Sequence, residues 1–249
     1  MKANRVARRN RRRLLQVAGA ITATSLLNGL PFALRAASAA QHKTKIGIIG
    51  SGKVGGAIGS VWVKAGHEVM FSSRHIEHDK ELAAKLGANA RAGTPREAAE
   101  FGKVVMISVP YHALPDVRDN VGDLIKGKVV IDTCNPFVWR DGELATWARE
   151  KGAGLASLEL LPGARIVRAF NAIGYVSMGN AHKQPGRVGM PIASDDAGAI
   201  QIASPLIRDI GYEPVLVGGM EMGKYLMPGT PLAGERTPDE IREIVATLN

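Results

Sequence analysis

Three glycines, Gly50, Gly52 and Gly55, stand at G-x-G-x-x-G spacing directly after the apolar run Ile46, Ile48 and Ile49. That spacing serves a dinucleotide. The first glycine permits a tight turn, the second lets a pyrophosphate approach the backbone, and the third lets the next helix pack against the strand. The phosphates would then sit on a helix N-terminus. At the end of the next strand an acidic residue would bind a ribose 2′-hydroxyl and repel a 2′-phosphate. The chain has Ser72, Ser73 and Arg74 there instead. Two hydroxyls and a planar, permanently charged guanidinium suit a phosphate monoester, so the reading is NADP, with His75 a further candidate. The alternative is a solvated loop carrying an incidental arginine.

A second set of polar residues follows apolar runs further along: Ser108-Val109-Pro110 with His112, Thr133-Cys134-Asn135-Pro136, and Phe170-Asn171. In an open parallel sheet all strand carboxyl ends share the edge that bears the glycine turn, so these exits converge on the nicotinamide end of the coenzyme. His112 is the candidate catalytic residue, because an unperturbed pKa near 6.5 suits a proton donor or a substrate contact; it also reads as a surface or capping histidine. Asn135 and Asn171 are candidates for a carboxamide or an acceptor, and equally for turn residues. Cys134 is the single cysteine, so it forms no intramolecular disulfide, and its place after an apolar strand reads as packing. No metal-ligand set is called. Met220, Met222 and Met227 read as packing or as the lining of an apolar acceptor pocket.

The elements that must position these residues alternate. The stretch 45–74 reads as strand, glycine turn, helix and second strand, with Val54, Ala57, Ile58, Val61 and Trp62 at helical spacing and Gly66 ending the helix. Helices are expected over 78–86, from Thr94-Pro95 onward, over 113–121, 154–161 and 197–210, and strands over 104–109, 129–132, 165–170, 187–193 and 214–217. A short capped helix from Thr237-Pro238-Asp239-Glu240 closes the chain. The fold class expected is α/β, a Rossmann-type doubly wound mostly parallel sheet with a short helical C-terminal extension over about 219–249, in one domain from residue 40.

The formal net charge of +9 is concentrated at the start. Residues 1–39 hold eight of the 32 bases and no acid, leaving 24 bases against 23 acids in the body. A nearly neutral body excludes nucleic-acid binding, which needs a basic face on the folded domain. Asn10-Arg11-Arg12-Arg13-Leu14-Leu15-Gln16 resembles a twin-arginine translocation signal, followed by a weakly apolar stretch over 14–30 and by Ala37-Ser38-Ala39, which fits the small-x-small cleavage rule. Export to the periplasm is therefore expected. The alternative is a retained anchor, which the polar residues of that stretch disfavour.

The combination G-S-G-K-V-G, F-S-S-R, I-S-V-P-Y-H-A, D-T-C-N-P and L-P-G-A-R-I-V-R-A-F-N resembles the NADP-dependent reductases of the deazaflavin coenzyme F420 over about residues 45–217. The resemblance implies that Ser51, Lys53 and Val54 contribute to the phosphate turn, that Ser73 and Arg74 hold the 2′-phosphate, and that Pro110 with His112 lies beside the nicotinamide ribose. It implies hydride transfer between NADPH and coenzyme F420; a flavin, quinone or ferric chelate is the runner-up acceptor, because the sequence shows no pocket polarity that excludes them. A nucleotide-binding protein without turnover is the reading from another class, favoured by export away from NADPH supply. The expected partners are a small-molecule redox acceptor and the twin-arginine translocation machinery, with a homodimer allowed, no nucleic acid and no stable membrane span after processing.

Overall fold

The structure, a computed structural model, describes residues 43–248. The twin-arginine motif and its cleavage site lie outside the described residues. Eight strands form one sheet in the order β3-β2-β1-β4-β5-β6-β7-β8. They are β1 (Lys45–Ile49), β2 (Glu68–Ser72), β3 (Ala90–Ala92), β4 (Val104–Ile107), β5 (Val129–Asp132), β6 (Arg165–Arg168), β7 (Val188–Ala193) and β8 (Tyr212–Gly218). β1 to β6 are parallel. Strand order reverses at β1, so the crevice of a doubly wound sheet opens beyond the end of β1, where the glycine turn stands. The Rossmann-type expectation holds.

Alternation along the strands explains the layers. Ile46, Ile48, Val104, Met106, Val129 and Ile131 point into one core with Ile58, Val61 and Trp62 of α1 (Lys53–Lys64) and with Leu206 and Ile207 of α8 (Ala197–Asp209). Their neighbours Ile49, Val105, Ile107 and Val130 point the other way, onto α3 (Pro95–Phe101), α4 (Leu114–Ile125), α5 (Val138–Lys151) and α6 (Ala153–Leu160). Trp62 is fully buried, and its indole N–H donates to the Leu206 carbonyl at 2.7 Å, which ties α1 to α8. On the other face α3 lies directly on β1: a Cβ at Gly47 would stand 1.9 Å from the Ala98 carbonyl oxygen. The Thr94-Pro95 signal is a full capping box, with Thr94 accepting from Glu97 N–H and Glu97 reaching back to Thr94 N–H. Thr237 and Glu240 form another at the start of α9 (Pro238–Val245).

The far end of the sheet departs from simple αβ alternation. β7 is antiparallel to β6 and meets it at one register pair, Arg168 with Ala193, while β8 is parallel to β7. Most of β7 therefore lies alongside the segment that follows β6, where Phe170 N–H meets Met190 Sδ at 3.1 Å. Leu226, Leu232 and Ile241 of the tail pack against Val215 and Val217 in a third small core. Met220 and Met227 are buried, which favours packing for the methionines.

Three elements went unexpected, β3, α5 and a single helical turn after β6. β3, Ala90-Arg91-Ala92, has no β-branched or aromatic residue and forms by pairing with β2. α5 contains Gly142 at φ 58°, a break between two helical pieces that removes the helical spacing from the sequence. Between α1 and α3 lies α2 (Ile76–Leu86), and α7 (Tyr175–Met178) is a single turn after β6.

Candidate functional site

Gly50 sits at φ 98°, and a Cβ there would stand 2.2 Å from the Ser108 carbonyl oxygen, so the turn can only be made by glycine against β4. Gly55 likewise touches the turn: its Cβ would lie 2.1 Å from the Gly50 carbonyl oxygen. Gly52 differs. Its φ of −66° is ordinary and no protein atom lies within 4 Å of a Cβ built on it. Nothing in the protein itself forbids a side chain at Gly52, so the space it leaves open fits an approaching ligand. Gly52 is also the N-cap of α1, with no side-chain cap and no acid in the first turn. The exposed amides and the helix dipole there suit an anion.

From this turn a cavity of about 620 Å³ extends between the ends of β1, β2 and β4, lined by Gly50, Ser51, Gly52, Ser73, Arg74, His75, His78, Pro95, Val109, Pro110, His112 and Asp116 among others. Ten of the residues singled out from sequence, Ser108 included, thus line one cavity. Arg74 is exposed and has no hydrogen-bond or ion-pair partner among the described residues, which leaves its whole donor fork to a ligand. The serines beside it are already engaged. Ser72 is buried and donates to the Ile48 carbonyl at 2.6 Å, away from the cavity. Ser73 donates to Asp79 Oδ2 at 2.8 Å, and Ser51 donates to Asp79 Oδ1. The carboxylate thought absent from the end of β2 is thus supplied from α2, six residues past Ser73.

Lys53 lies on an adjoining groove with its ammonium 5.2 Å from the centre of the Tyr175 ring, and Val54 is partly buried against the core. Neither lines the main cavity.

His112 is half exposed, and its Nδ1 lies 2.8 Å from Asp141 Oδ1. Asp141 also receives the His112 backbone N–H at 3.3 Å, Phe137 N–H at 3.0 Å and both Arg140 Nε at 2.9 Å and Nη2 at 2.8 Å. Burial pushes this carboxyl up, but the hydrogen bonds from Arg140, Phe137 and His112 more than offset it and bring its pKa down to about 2. An Asp141 carboxylate ionised at neutral pH accepts a proton-bearing Nδ1 of His112 and leaves Nε2 as the free nitrogen. The aspartate–histidine pair was not visible in sequence, because Asp141 belongs to the broken helix α5.

At the exits of β5 and β6 the two asparagines meet. Asn135 Nδ2 donates to the Asn171 carbonyl at 2.7 Å and Asn171 Nδ2 to the Cys134 carbonyl at 3.3 Å. The Oδ1 atoms of both are buried without a partner. Behind them Arg168, fully buried, donates to Asp132 Oδ2 at 2.5 Å, to Ser157 Oγ at 3.1 Å and to the Cys134 carbonyl at 3.1 Å. Phe170, between Arg168 and Asn171, holds φ 67°, the one positive φ outside glycine among the described residues. Cys134 is buried, and burial pushes its thiol up, so it packs and is no nucleophile.

Residues 45–136 match the family described as NADP oxidoreductase, coenzyme F420-dependent. The F420-dependent NADP reductase of Methanothermobacter marburgensis is 29% identical over 202 residues, which is 76% of this chain and 90% of the relative. The metalloreductase STEAP3 of Rattus norvegicus is 26% identical over 72% of this chain and 35% of its own length. Among solved structures, the hypothetical protein SMa0349 of Sinorhizobium meliloti superposes with a TM-score of 0.63 at 24% identity, covering 77% of this chain and 93% of its own. That likeness extends the Rossmann-type fold through the strands beyond residue 136. Together these matches place the chain with the NADP-dependent oxidoreductases.

Proposed function

We propose that the protein transfers hydride between NADPH and a flat two-electron acceptor, coenzyme F420 or a related deazaflavin or flavin. The observation that carries it is the pairing of an unpartnered Arg74 with the open glycine cradle at Gly52 on one cavity. The family matched by residues 45–136 supports the choice of acceptor. When bound, NADPH supplies a hydride from carbon 4 of its nicotinamide. The α1 N-terminus and Gly52 hold the pyrophosphate, and Arg74 holds the 2′-phosphate. Val109 and Pro110 wall the cavity on the β4 side. The unpaired Oδ1 atoms of Asn135 and Asn171 are the acceptors offered to a carboxamide N–H. His112, oriented by Asp141, presents Nε2 to hold or deliver a proton for acceptors that need one. A deazaflavin needs none at the hydride step, so positioning does most of the catalysis.

Anaerobic mixing of the protein with NADPH and a panel of acceptors tests this. The expected result is turnover with coenzyme F420 above FMN, a quinone or a ferric chelate, and with NADPH above NADH. Saturable NADPH binding without turnover on any of them would leave a nucleotide-binding protein instead. The likeness to a metalloreductase makes turnover on the ferric chelate alone the second reading.

Export by the twin-arginine route belongs to the same proposal and rests on Arg11-Arg12 ahead of a weak apolar stretch. Arg11→Lys with Arg12→Lys is expected to keep the precursor inside the cell. Mature protein still found outside, beginning near Ala40, would overturn it.

A further inference from the structure

We infer that Arg140 couples the two halves of the reacting site: one guanidinium positions His112, after β4, and Asn135, after β5, as a unit. Three hydrogen bonds define it. Nε donates to Asp141 Oδ1 at 2.9 Å, and Nη2 donates both to Asp141 Oδ2 at 2.8 Å and to the Asn135 carbonyl at 2.9 Å. Asp141 Oδ1 in turn receives His112 Nδ1 at 2.8 Å. Asn135, held by its carbonyl, keeps its side-chain Oδ1 unpartnered. Arg140 does not line the cavity, so it acts through these two residues and is a positioning residue.

Packing does not hold this segment, which leaves the polar contacts to do so. Residues 138–141 make one helical turn before the break at Gly142, and a single turn has no stability of its own. Its outward side chains are bare: Val138 is 49% and Trp139 82% exposed. Within the turn, Arg140 N–H and Asp141 N–H donate to the Phe137 carbonyl, and Phe137 N–H donates back to Asp141 Oδ2 at 3.0 Å. The Arg140 guanidinium lies over the Phe137 ring, 5.0 Å from its centre. Only two links leave this closed unit, Arg140 to the Asn135 carbonyl and Asp141 to His112. Burial pushes the Asp141 carboxyl up, and the hydrogen bonds from Arg140 are the largest of the effects that bring it down. A lysine would keep the charge but lacks the planar fork that meets both carboxylate oxygens at once.

The consequence for turnover rests on the hydride-transfer reading, so the first test uses the nucleotide-free protein. In nitrogen NMR, Arg140→Gln should move both the His112 ring nitrogens and the Asn135 side-chain amide. Asp141→Asn, which cuts the His112 link, should move the His112 nitrogens far more than the Asn135 amide. In turnover, Arg140→Gln should lower kcat with coenzyme F420 by about tenfold, because a displaced Asn135 spoils the hydride geometry. With a quinone, which also needs the proton held at His112, the fall should be larger. The NADPH dissociation constant should stay within about threefold of wild type, since Gly52 and Arg74 are remote from the change. Movement of the His112 nitrogens alone, with coenzyme F420 turnover kept, would make Arg140 a counterion of Asp141 only and overturn the inference, leaving the hydride-transfer reading in place. Equal falls in turnover, NADPH affinity and thermal unfolding temperature would make it a brace for the fold and overturn the inference likewise. If both NMR signals move but wild type passes hydride to no acceptor, the hydride-transfer reading fails and the coupling stands. Arg140→Lys, expected to move the same two signals, decides the matter if Arg140→Gln does not fold.

Discussion

The two ends of the site are built in opposite ways. At the coenzyme end, around the exits of β1 and β2, the buried polar groups have partners: Ser51 and Ser73 on Asp79, and Ser72 on Ile48. What is left free there, Arg74, is exposed. At the other end, around the exits of β5 and β6, two buried amide oxygens have no partner, Phe170 is held at positive φ, and Trp139 stands 82% exposed four residues past Asn135. Unsatisfied buried acceptors and strained backbone each cost on the order of 1–3 kcal/mol. A chain retains such features where a ligand relieves them or where surrounding structure overrides them. The coenzyme end has its buried polar groups satisfied, whereas the far end, which does not line the cavity, keeps buried acceptors unsatisfied.

The largest effect comes from removing what holds the far end in place. Arg168 and Asp132 are a buried ion pair, and Arg168→Met leaves an uncompensated carboxylate, so urea unfolding should show a loss of about 3–5 kcal/mol. If the loss is below about 1 kcal/mol, the strain at Phe170 is held by other contacts and the contrast between the two ends weakens. Next is the coenzyme cradle. Gly52→Val meets no protein atom within 4 Å of its Cβ, so stability should change little while coenzyme affinity falls on the order of hundredfold. Equal loss of stability and binding would mean that Gly52 serves the fold. Third is Arg74→Ala, which removes a charge-assisted contact worth about 1.5–3 kcal/mol, a tenfold to more than hundredfold loss for NADP with NAD hardly touched. Parallel titrations read it; an equal loss for both nucleotides would make the loop after β2 a solvated turn.

Legibility in the sequence follows the same divide. The coenzyme end was readable because its demands are local: a glycine turn, a helix start and a strand end, all within 30 residues, each with its own residue code. Asp79 was not, since an acid in the first turn of a helix is what the helix dipole favours anyway, and nothing in α2 marks this one as reaching back to Ser51 and Ser73. Asp141 was hidden by the break at Gly142, and its partner His112 lies 29 residues earlier in the chain. The convergence of Asn135 and Asn171 was readable from the rule that parallel strands end on one edge. That their Oδ1 atoms stay unpaired no residue pattern announces.

The smallest predicted effect concerns Asp141, which lies between the two ends and joins His112 to α5. Its carboxyl falls from the usual 3.8 to about 2, which corresponds to about 2 kcal/mol of stability at neutral pH. The folded-state pKa is below the unfolded one, so this contribution is fully present above about pH 4 and is lost as the pH falls through 2. Asp141→Asn should therefore be less stable than wild type by about 2 kcal/mol at pH 7, with the gap closing toward pH 2, as read by urea unfolding across that range. The substitution also puts a neutral amide opposite His112 Nδ1 in place of a carboxylate, so turnover with an acceptor that needs a proton from His112 should fall. With coenzyme F420 as acceptor the rate should hardly change, because no acid is needed at the hydride step. A gap that persists unchanged to pH 2 would show that Asp141 stabilises by packing, and His112 would then lose its fixed orientation as the argument for a proton-holding role.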